Sequence, residues 1–165
     1  MALISEKFND ALNAQIKEEL YSAYLYLGMS YWLKEHNYNN LGIWYFAQYN
    51  EELLHAYKFM DYIVETGGSV KLLALDSPKI DWTNVEEIVK AGYGHEQHIT
   101  GKINELVILA EELKEFAPRE LLQWFITEQI EEESNASELV DRQKAFHNDM
   151  LFDHHTHRVV EPSSE

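Results

Sequence analysis

Cysteine is absent from this 165-residue chain, which excludes disulfides, thiolate-held zinc ribbons and iron–sulfur clusters. Proline and glycine are scarce, with three and seven copies, and no proline falls in the interior of a long periodic stretch, so little interrupts helix formation. Basic side chains are also few: 13 Lys and Arg stand against 29 Asp and Glu, a formal charge of −16. That balance argues against nucleic acid and anionic membranes and favours cations as partners, although a solvated acidic surface has the same composition. No apolar run approaches the length of a membrane span. Met1 to Asp10 mixes Glu6, Lys7 and Asp10 among its apolar residues and has no signal-peptide core. The expectation is a soluble, cytoplasmic protein. The sequon Asn135-Ala136-Ser137 is then read as chance.

The periodic segments predict an all-α chain, one domain over residues 1–165 that is long enough to bury a full core. A first helix is expected over about 5–35 with Ser5 as N-cap, and a second over about 40–66, stopped by Gly67-Gly68. A third is expected over about 83–115, with Thr83 and Glu86 in a capping-box pattern. A fourth covers about 118–147 with Pro118 in its first turn, a short fifth about 149–159, and a frayed tail 160–165. The first two helices, and the third and fourth, are joined by short links and should be antiparallel. Residues 67–82 can stretch to about 50 Å, while the second helix is about 40 Å long. A linker of that reach runs the length of a bundle and leaves the second and third helices parallel. The architecture is a four-helix bundle with one long crossover and a short fifth helix.

Each long helix carries an apolar stripe that turns polar near its middle. On the second, Leu41, Tyr45, Gln48, Glu52, His55, Phe59 and Tyr62 recur at spacings of four and three. On the first, Leu12, Glu19, Tyr26 and Leu33 are spaced by seven, flanked by Ile16 and Ala23. On the third, Glu96 is the only charge in a stripe from Val85 to Leu113, and on the fourth Gln129 and Glu132 sit among Leu122, Phe125, Ala136 and Leu139. One acid on a stripe is usually a misread register; four helices failing together are better explained by a shared interior site. Glu52 and His55 lie three apart and project from one face. Carboxylates cannot share a dry site as anions without compensating charge. Two divalent cations would supply it, and carboxylate oxygens with one imidazole suit iron or manganese better than copper.

This constellation resembles the ferritin-like di-iron proteins, which place a Glu on each of two helices and Glu-x-x-His motifs on the others. Over at least residues 5–147 the chain is similar to the bacterial non-haem ferritins. The stretches that carry the resemblance are Glu18-Glu19-Leu20-Tyr21-Ser22, Asn50-Glu51-Glu52-Leu53-Leu54-His55, Ile99-Thr100-Gly101-Lys102-Ile103-Asn104-Glu105-Leu106 and Leu122-Gln123-Trp124-Phe125-Ile126-Thr127-Glu128-Gln129-Ile130-Glu131-Glu132-Glu133. The resemblance implies a first iron site from Glu19, Glu52 and His55. It implies a second from bridging Glu52 with Glu96 and Glu132, Gln129 close by, and a third, outlying site from Glu51, Glu128 and Glu131. Tyr26 and Trp124 match aromatics beside the centre, with core packing the plainer reading of both; Glu133 is read as solvated. The implied function is iron storage with ferroxidase activity: Fe(II) is oxidised by dioxygen or peroxide and ferric mineral is deposited in a 24-subunit homo-oligomeric shell.

Departures from neighbouring families narrow the reading. Gln129-x-x-Glu132 replaces a second Glu-x-x-His, which suits release of oxidised iron. Leu53 stands where bacterioferritins carry a haem-ligating Met, so no haem is expected. His36, His95 and His98 show no partner in the sequence and are read as surface or core-edge residues. Asp153-His154-His155-Thr156-His157 has no counterpart in the family. If 149–159 is helical, His154 and His157 share a face, and a ring of such faces at a fourfold axis would bind metal; a solvated tail is the alternative. Two other functions stay open: a di-iron oxidase or oxygenase acting on an organic substrate, and a non-catalytic helical assembly protein.

Overall fold

The computed structural model describes residues 3–158. They form helices α1 (Glu6–Glu35), α2 (Asn39–Glu65), α3 (Val85–Leu113), α4 (Arg119–Phe146) and α5 (Asp149–His154), with no strand among them. No helix among these residues is long and apolar enough to cross a membrane. Ser5 caps α1 as expected, its Oγ accepting from Phe8 N at 3.1 Å. Gly67 ends α2 at a φ of 76°, a left-handed conformation that glycine adopts without a Cβ penalty.

Two helix starts differ from expectation by one residue. The α3 N-cap is Asn84, not Thr83: its Oδ1 accepts from Glu87 N at 2.9 Å, while Glu87 Oε2 accepts from Thr83 N at 2.7 Å. Asn is at least as good an N-cap as Thr, and the reciprocal carboxylate is correspondingly Glu87, not Glu86. Pro118 sits at the N-cap of α4, outside the first turn.

The crossover lies along α1. Near its start, Asn13 donates from Nδ2 to Ser69 O at 2.9 Å, and its Oδ1 accepts from Lys71 N. Asn9 Oδ1 accepts from Ser69 N at 2.9 Å. Two side-chain amides thus do for the linker backbone what a neighbouring strand would do. Near its end, Lys79 O passes 4.0 Å from the Cβ position of Gly28. From Asn9 to Gly28 is about 29 Å of helix at ~1.5 Å per residue. The linker therefore travels from the beginning of α1 towards its end, and α2 and α3 run parallel.

The apolar interior is divided. One cluster joins Leu25, Met29 and Leu33 of α1 to Leu41 and Tyr45 of α2, Trp82, and Val85, Ile88 and Val89 of α3. The other joins Phe8, Leu12 and Ile16 to Phe59, Ile63, Ile99, Ile103 and Phe125 at the opposite end. The second-helix stripe ends on Ile63, fully buried, while Tyr62 is only partly so. Between the clusters lies a polar layer.

The fifth helix is shorter than expected and stops at His154, so His157 lies beyond it and shares no helical face with His154. The end of the chain is nonetheless packed down as far as it is described. Phe152 is fully buried, and Thr156 is buried with its Oγ1 donating to Phe152 O at 2.7 Å. His155 stacks on Phe146 with ring centroids 5.4 Å apart. The segment is thus anchored through Phe152 and Thr156, while His154, His155 and His157 stay exposed; the expected frayed tail, 160–165, lies outside the described residues.

This packing supplies a cap that α2 lacks. Tyr38 at the α2 N-cap makes no side-chain cap hydrogen bond, and Asp153 Oδ1 accepts from Leu41 N at 2.8 Å. Asn40 Nδ2 also donates to Asp153 O at 3.0 Å. A carboxylate at a helix N-terminus satisfies an orphan donor and complements the helix dipole. Asp153→Ala is expected to destabilise the protein by about 1–2 kcal/mol, with Asp153→Asn recovering part of the loss. Urea unfolding of the three proteins checks this; equal midpoints would mean that the remote cap contributes nothing.

Candidate metal centre

The polar layer is assembled from all four long helices. Glu19 comes from α1, Glu52 and His55 from α2, Glu96 from α3, and Gln129 and Glu132 from α4. All six are between 0 and 4 % exposed. Each occupies the buried stripe of its helix, so the amphipathic pattern that builds the core also carries these groups to one level. No Lys or Arg is buried among the described residues, so no cationic side chain lies between the carboxylates.

Two groups of ligand-type atoms converge within it. Glu19, Glu52 and His55 bring one atom each to within 4.8 Å of one another, and so do His55, Glu128 and Glu132. The first group coincides with the first site implied by resemblance. His55 Nδ1 lies 3.1 Å from Glu52 Oε2 and 3.9 Å from Glu19 Oε2, while its Nε2 faces Glu128 Oε1 at 3.5 Å. A neutral imidazole has one lone pair. With Nε2–H directed at Glu128, the Nδ1 lone pair faces Glu19 and Glu52, the arrangement by which an outer carboxylate sets the tautomer of a metal-binding histidine. Glu19 Oε2 is buried without a hydrogen-bond donor, an acceptor position that a cation between Glu19 and His55 would fill.

Glu96 is held differently. Its Oε1 accepts a short hydrogen bond from Tyr26 OH and its Oε2 accepts from Gln129 Nε2 at 3.2 Å. Gln129 Nε2 also lies 3.3 Å from Thr100 Oγ1. Tyr26 is thus a hydrogen-bond donor to the layer as well as a core aromatic. Its ring lies 5.8 Å from that of Tyr45, whose hydroxyl comes within 3.0 Å of where a Cβ would stand on Gly92; the glycine in the α3 stripe makes room for it. Trp124 is not a core residue: it is 38 % exposed, edge-on to His55 at 5.7 Å, with Lys58 Nζ 4.3 Å from its ring.

Two glutamines complete the layer. Gln48 Nε2 donates to Glu132 Oε2 at 2.8 Å and to Glu52 Oε1 at 3.1 Å, tying α2 to α4. Gln15 Nε2 donates to Glu19 Oε1 at 2.8 Å from one turn below. The sequence placed Gln48 on the stripe without assigning it a role and missed Gln15, whose only signal is its four-residue offset from Glu19.

Electrostatics follow from burial. Desolvation raises the Glu19, Glu52 and Glu96 carboxyls above their ordinary range, Glu52 most clearly, and the proximity of other acids adds to it. Glu132 is pushed up to about 8, by burial first and then by the charges of Glu96 and Glu51. Burial alone would lower His55, but contacts with Glu128 and Glu52 outweigh it and raise it well above its usual value. Without metal, burial therefore favours the protonated carboxyls in this layer.

On the α2–α4 face, Glu51, Glu128 and Glu131 line one open cavity of about 550 Å³ together with Glu132, Glu138, Arg142, His157 and Arg158. The three carboxylates of the implied outer site thus share one space. The remaining histidines do have partners. His95 is buried on the α1–α3 side, its Nε2 2.7 Å from Ser22 Oγ; because that hydroxyl donates to Glu18 O, His95 is the donor to Ser22. Burial, with the charge of His98, pulls His95 down to about 4. His98 Nε2 meets Glu18 Oε2 at 2.9 Å, and His36 stacks on Trp32 at 3.8 Å.

Comparison with known proteins agrees with this geometry. The ferritin-like domain family model matches residues 9–146. A bacterial non-haem ferritin of Bacteroides fragilis is 35% identical over 142 residues, 86% of this chain and 89% of the relative. One of Campylobacter jejuni is 36% identical over 86% of this chain and 85% of its own. Among solved structures, an open-pore ferritin from the archaeon Archaeoglobus fulgidus superposes with a TM-score of 0.92 at 38% identity, covering 97% of this chain and 100% of that one. With the four-helix fold, the long crossover and the buried carboxylate layer in place, the chain belongs to the ferritin family.

Proposed function

We propose that this chain is a single ferritin-like domain that oxidises Fe(II) at the polar waist of the bundle and deposits ferric mineral inside a cytoplasmic shell of 24 copies. The family and the fold support iron storage as the broader role. The observation that carries the finer reading is the convergence of Glu19, Glu52 and His55 around a buried carboxylate oxygen that has no donor. Glu19, Glu52 and His55 would hold the first ion; Glu52, Glu96 and Glu132, with Gln129 beside them, the second; Glu51, Glu128 and Glu131 an outer third.

Fe(II) enters here as substrate. Binding exchanges the protons of the raised carboxyls for metal charge. A carboxylate-rich site favours the higher charge of Fe(III), and two ferrous ions supply the two electrons that take dioxygen to peroxide or peroxide to water. Gln48 and Gln15 hold Glu52, Glu132 and Glu19 in place through the exchange, and Tyr26 does the same for Glu96. Gln129 is a weaker ligand than a carboxylate or imidazole, which suits a site that passes its product on.

Particle size and iron uptake together test the reading. Twenty-four chains of 19.4 kDa make a shell of about 470 kDa, which light scattering will measure directly, and aerobic Fe(II) loading should yield a mineral-bearing particle. A monomer or dimer that oxidises an organic substrate, or an assembly inert to iron, would overturn the proposal.

Glu52→Ala is expected to abolish rapid aerobic Fe(II) oxidation while leaving particle size unchanged, because Glu52 faces the bundle interior and not an outer surface. Stopped-flow absorbance decides it, and wild-type kinetics in the variant would mean the oxidation happens elsewhere. Glu131→Ala is expected to change the stoichiometry or turnover of oxidation and to leave the first fast phase intact; loss of binding at every site would put Glu131 in the central pair.

The waist also sets a pH dependence. Protonated Glu132, raised from 4.5 to about 8, contributes stability that is full below about pH 4.5 and lost as pH rises through about 8. Calorimetry of chelator-treated protein should therefore show Tm falling across that window, with Glu132→Gln flattening the fall. Metal affinity should run the other way and rise with pH, since metal replaces the protons. A Tm independent of pH in the wild type would show that the waist is not held by protons.

A further inference from the structure

Residues 155–158, which follow α5, do not leave the bundle. They turn back across the α2–α4 face and deliver Arg158 to the edge of the waist. The guanidinium pairs through Nη2 with Glu51 Oε2, and Nη1 donates to Gln48 Oε1 at 3.0 Å and to Trp44 O at 3.1 Å. It also lies over the Trp44 ring at 4.8 Å. The Arg158 side chain is only 13 % exposed, and its partner Glu51 is 41 % exposed. Contacts with three residues give the guanidinium a fixed position, the kind that Arg's planar fork makes and Lys cannot copy.

Two consequences meet there. Glu51 belongs to the outer carboxylate group in the cavity it shares with Glu128, Glu131 and Glu132, so Arg158 already stands as a cation on an acid that an outer metal ion would need. Gln48 has its amide fixed from both ends: Oε1 accepts from Arg158, and Nε2 donates to Glu52 and Glu132. A glutamine amide has one acceptor end and one donor end. With its oxygen held by Arg158, only the nitrogen is left for the two waist carboxylates.

We propose that Arg158 is a positioning residue with a displaceable charge: it holds the outer carboxylate group against adventitious cations, keeps Gln48 oriented toward Glu52 and Glu132, and is released from Glu51 when a divalent ion occupies the outer group. The inference rests on the proposed function for the outer ion, but its own content is the exchange of an internal guanidinium for a metal. The arm suits this task. Residues 152–156 are anchored by Phe152, Asp153 and Thr156, so among the described residues release of Arg158 requires movement only of His157 and Arg158.

Zinc is the probe, because it is redox-inert and does not depend on oxidation. Zn²⁺ titrations by calorimetry, with particle size checked, compare the wild type with Arg158→Ala, Arg158→Lys and Glu51→Gln. Removing the competing cation is expected to tighten the weakest class of zinc sites about three- to tenfold in Arg158→Ala. Arg158→Lys should fall between that variant and wild type, because a lysine restores the charge without the fork. In the Glu51→Gln background, Arg158→Ala should bring no further gain. Hydrogen exchange followed by mass spectrometry supplies a readout that a merely structural role would not move: the amides of His157 and Arg158 should exchange faster in zinc-loaded wild type than in metal-free protein.

Equal zinc isotherms for wild type and Arg158→Ala, or an arm whose exchange is unchanged by zinc, would overturn the latch while leaving the waist reading intact. If zinc binds only at sites lost in Glu52→Ala, and none is lost in Glu51→Gln, the outer group holds no ion and the latch falls with that part of the proposed function alone. Loss of all zinc binding in the wild type would sink the metal centre itself.

Discussion

Four buried carboxylates with one imidazole, and no buried Lys or Arg among the described residues, form the constraint on which everything else in this bundle depends. Each anion left in a dry interior without a partner costs several kcal/mol, so the layer is neutralised either by protons or by metal. Without metal, burial raises the carboxyls and the contacts with Glu128 and Glu52 raise His55, both of which favour the first solution. Such a layer binds a cation by giving up protons, which couples occupancy to pH. The glutamines matter because each supplies a neutral N–H that steadies a carboxylate in either state.

A waist of this kind cannot supply its own stability. The apolar clusters on either side of it do that, and they explain why the helices are so long. At ~1.5 Å per residue, a helix of 27 to 30 residues leaves several turns of apolar contact above and below one polar level. One end is closed by Phe8, Phe59 and Phe125, with the last two rings stacked 4.0 Å apart. The other is closed by Trp82, Tyr45 and Phe152. The crossover and α5 are part of this support: the first is clipped to α1 by Asn9 and Asn13, and the second caps α2 through Asp153.

The bundle and the residues that meet at its waist were legible in the sequence because both depend on one period. A residue at helical spacing with Leu12 and Leu33 must face where they face, so Glu19 was readable as interior, and so were Glu52, Glu96 and Glu132. Partners at a distance were not legible. Nothing in Asn9 or Asn13 announces a grip on residues 69–71, and nothing in Asp153 announces a cap for a helix 112 residues earlier. Gln15 looks like any solvent-facing glutamine until Glu19 is placed beside it. The shift of the α3 cap from Thr83 to Asn84 is a local contest between two good caps, and periodicity cannot decide it.

His55 shows how one side chain links the inner and outer parts of the face. Its Nδ1 belongs to Glu19 and Glu52 and its Nε2 to Glu128, and Glu128 shares a cavity with Glu51 and Glu131. A cation arriving at the outer carboxylates draws on Glu128, and so on the acceptor that fixes the His55 tautomer. The same arrival draws on Glu51, and so on the guanidinium that orients Gln48, whose amide holds Glu52 and Glu132. Both routes lead from the open cavity to the buried ligands through hydrogen-bonded or ion-paired contacts. The outer carboxylates are therefore placed to influence the inner ones through the groups that orient them.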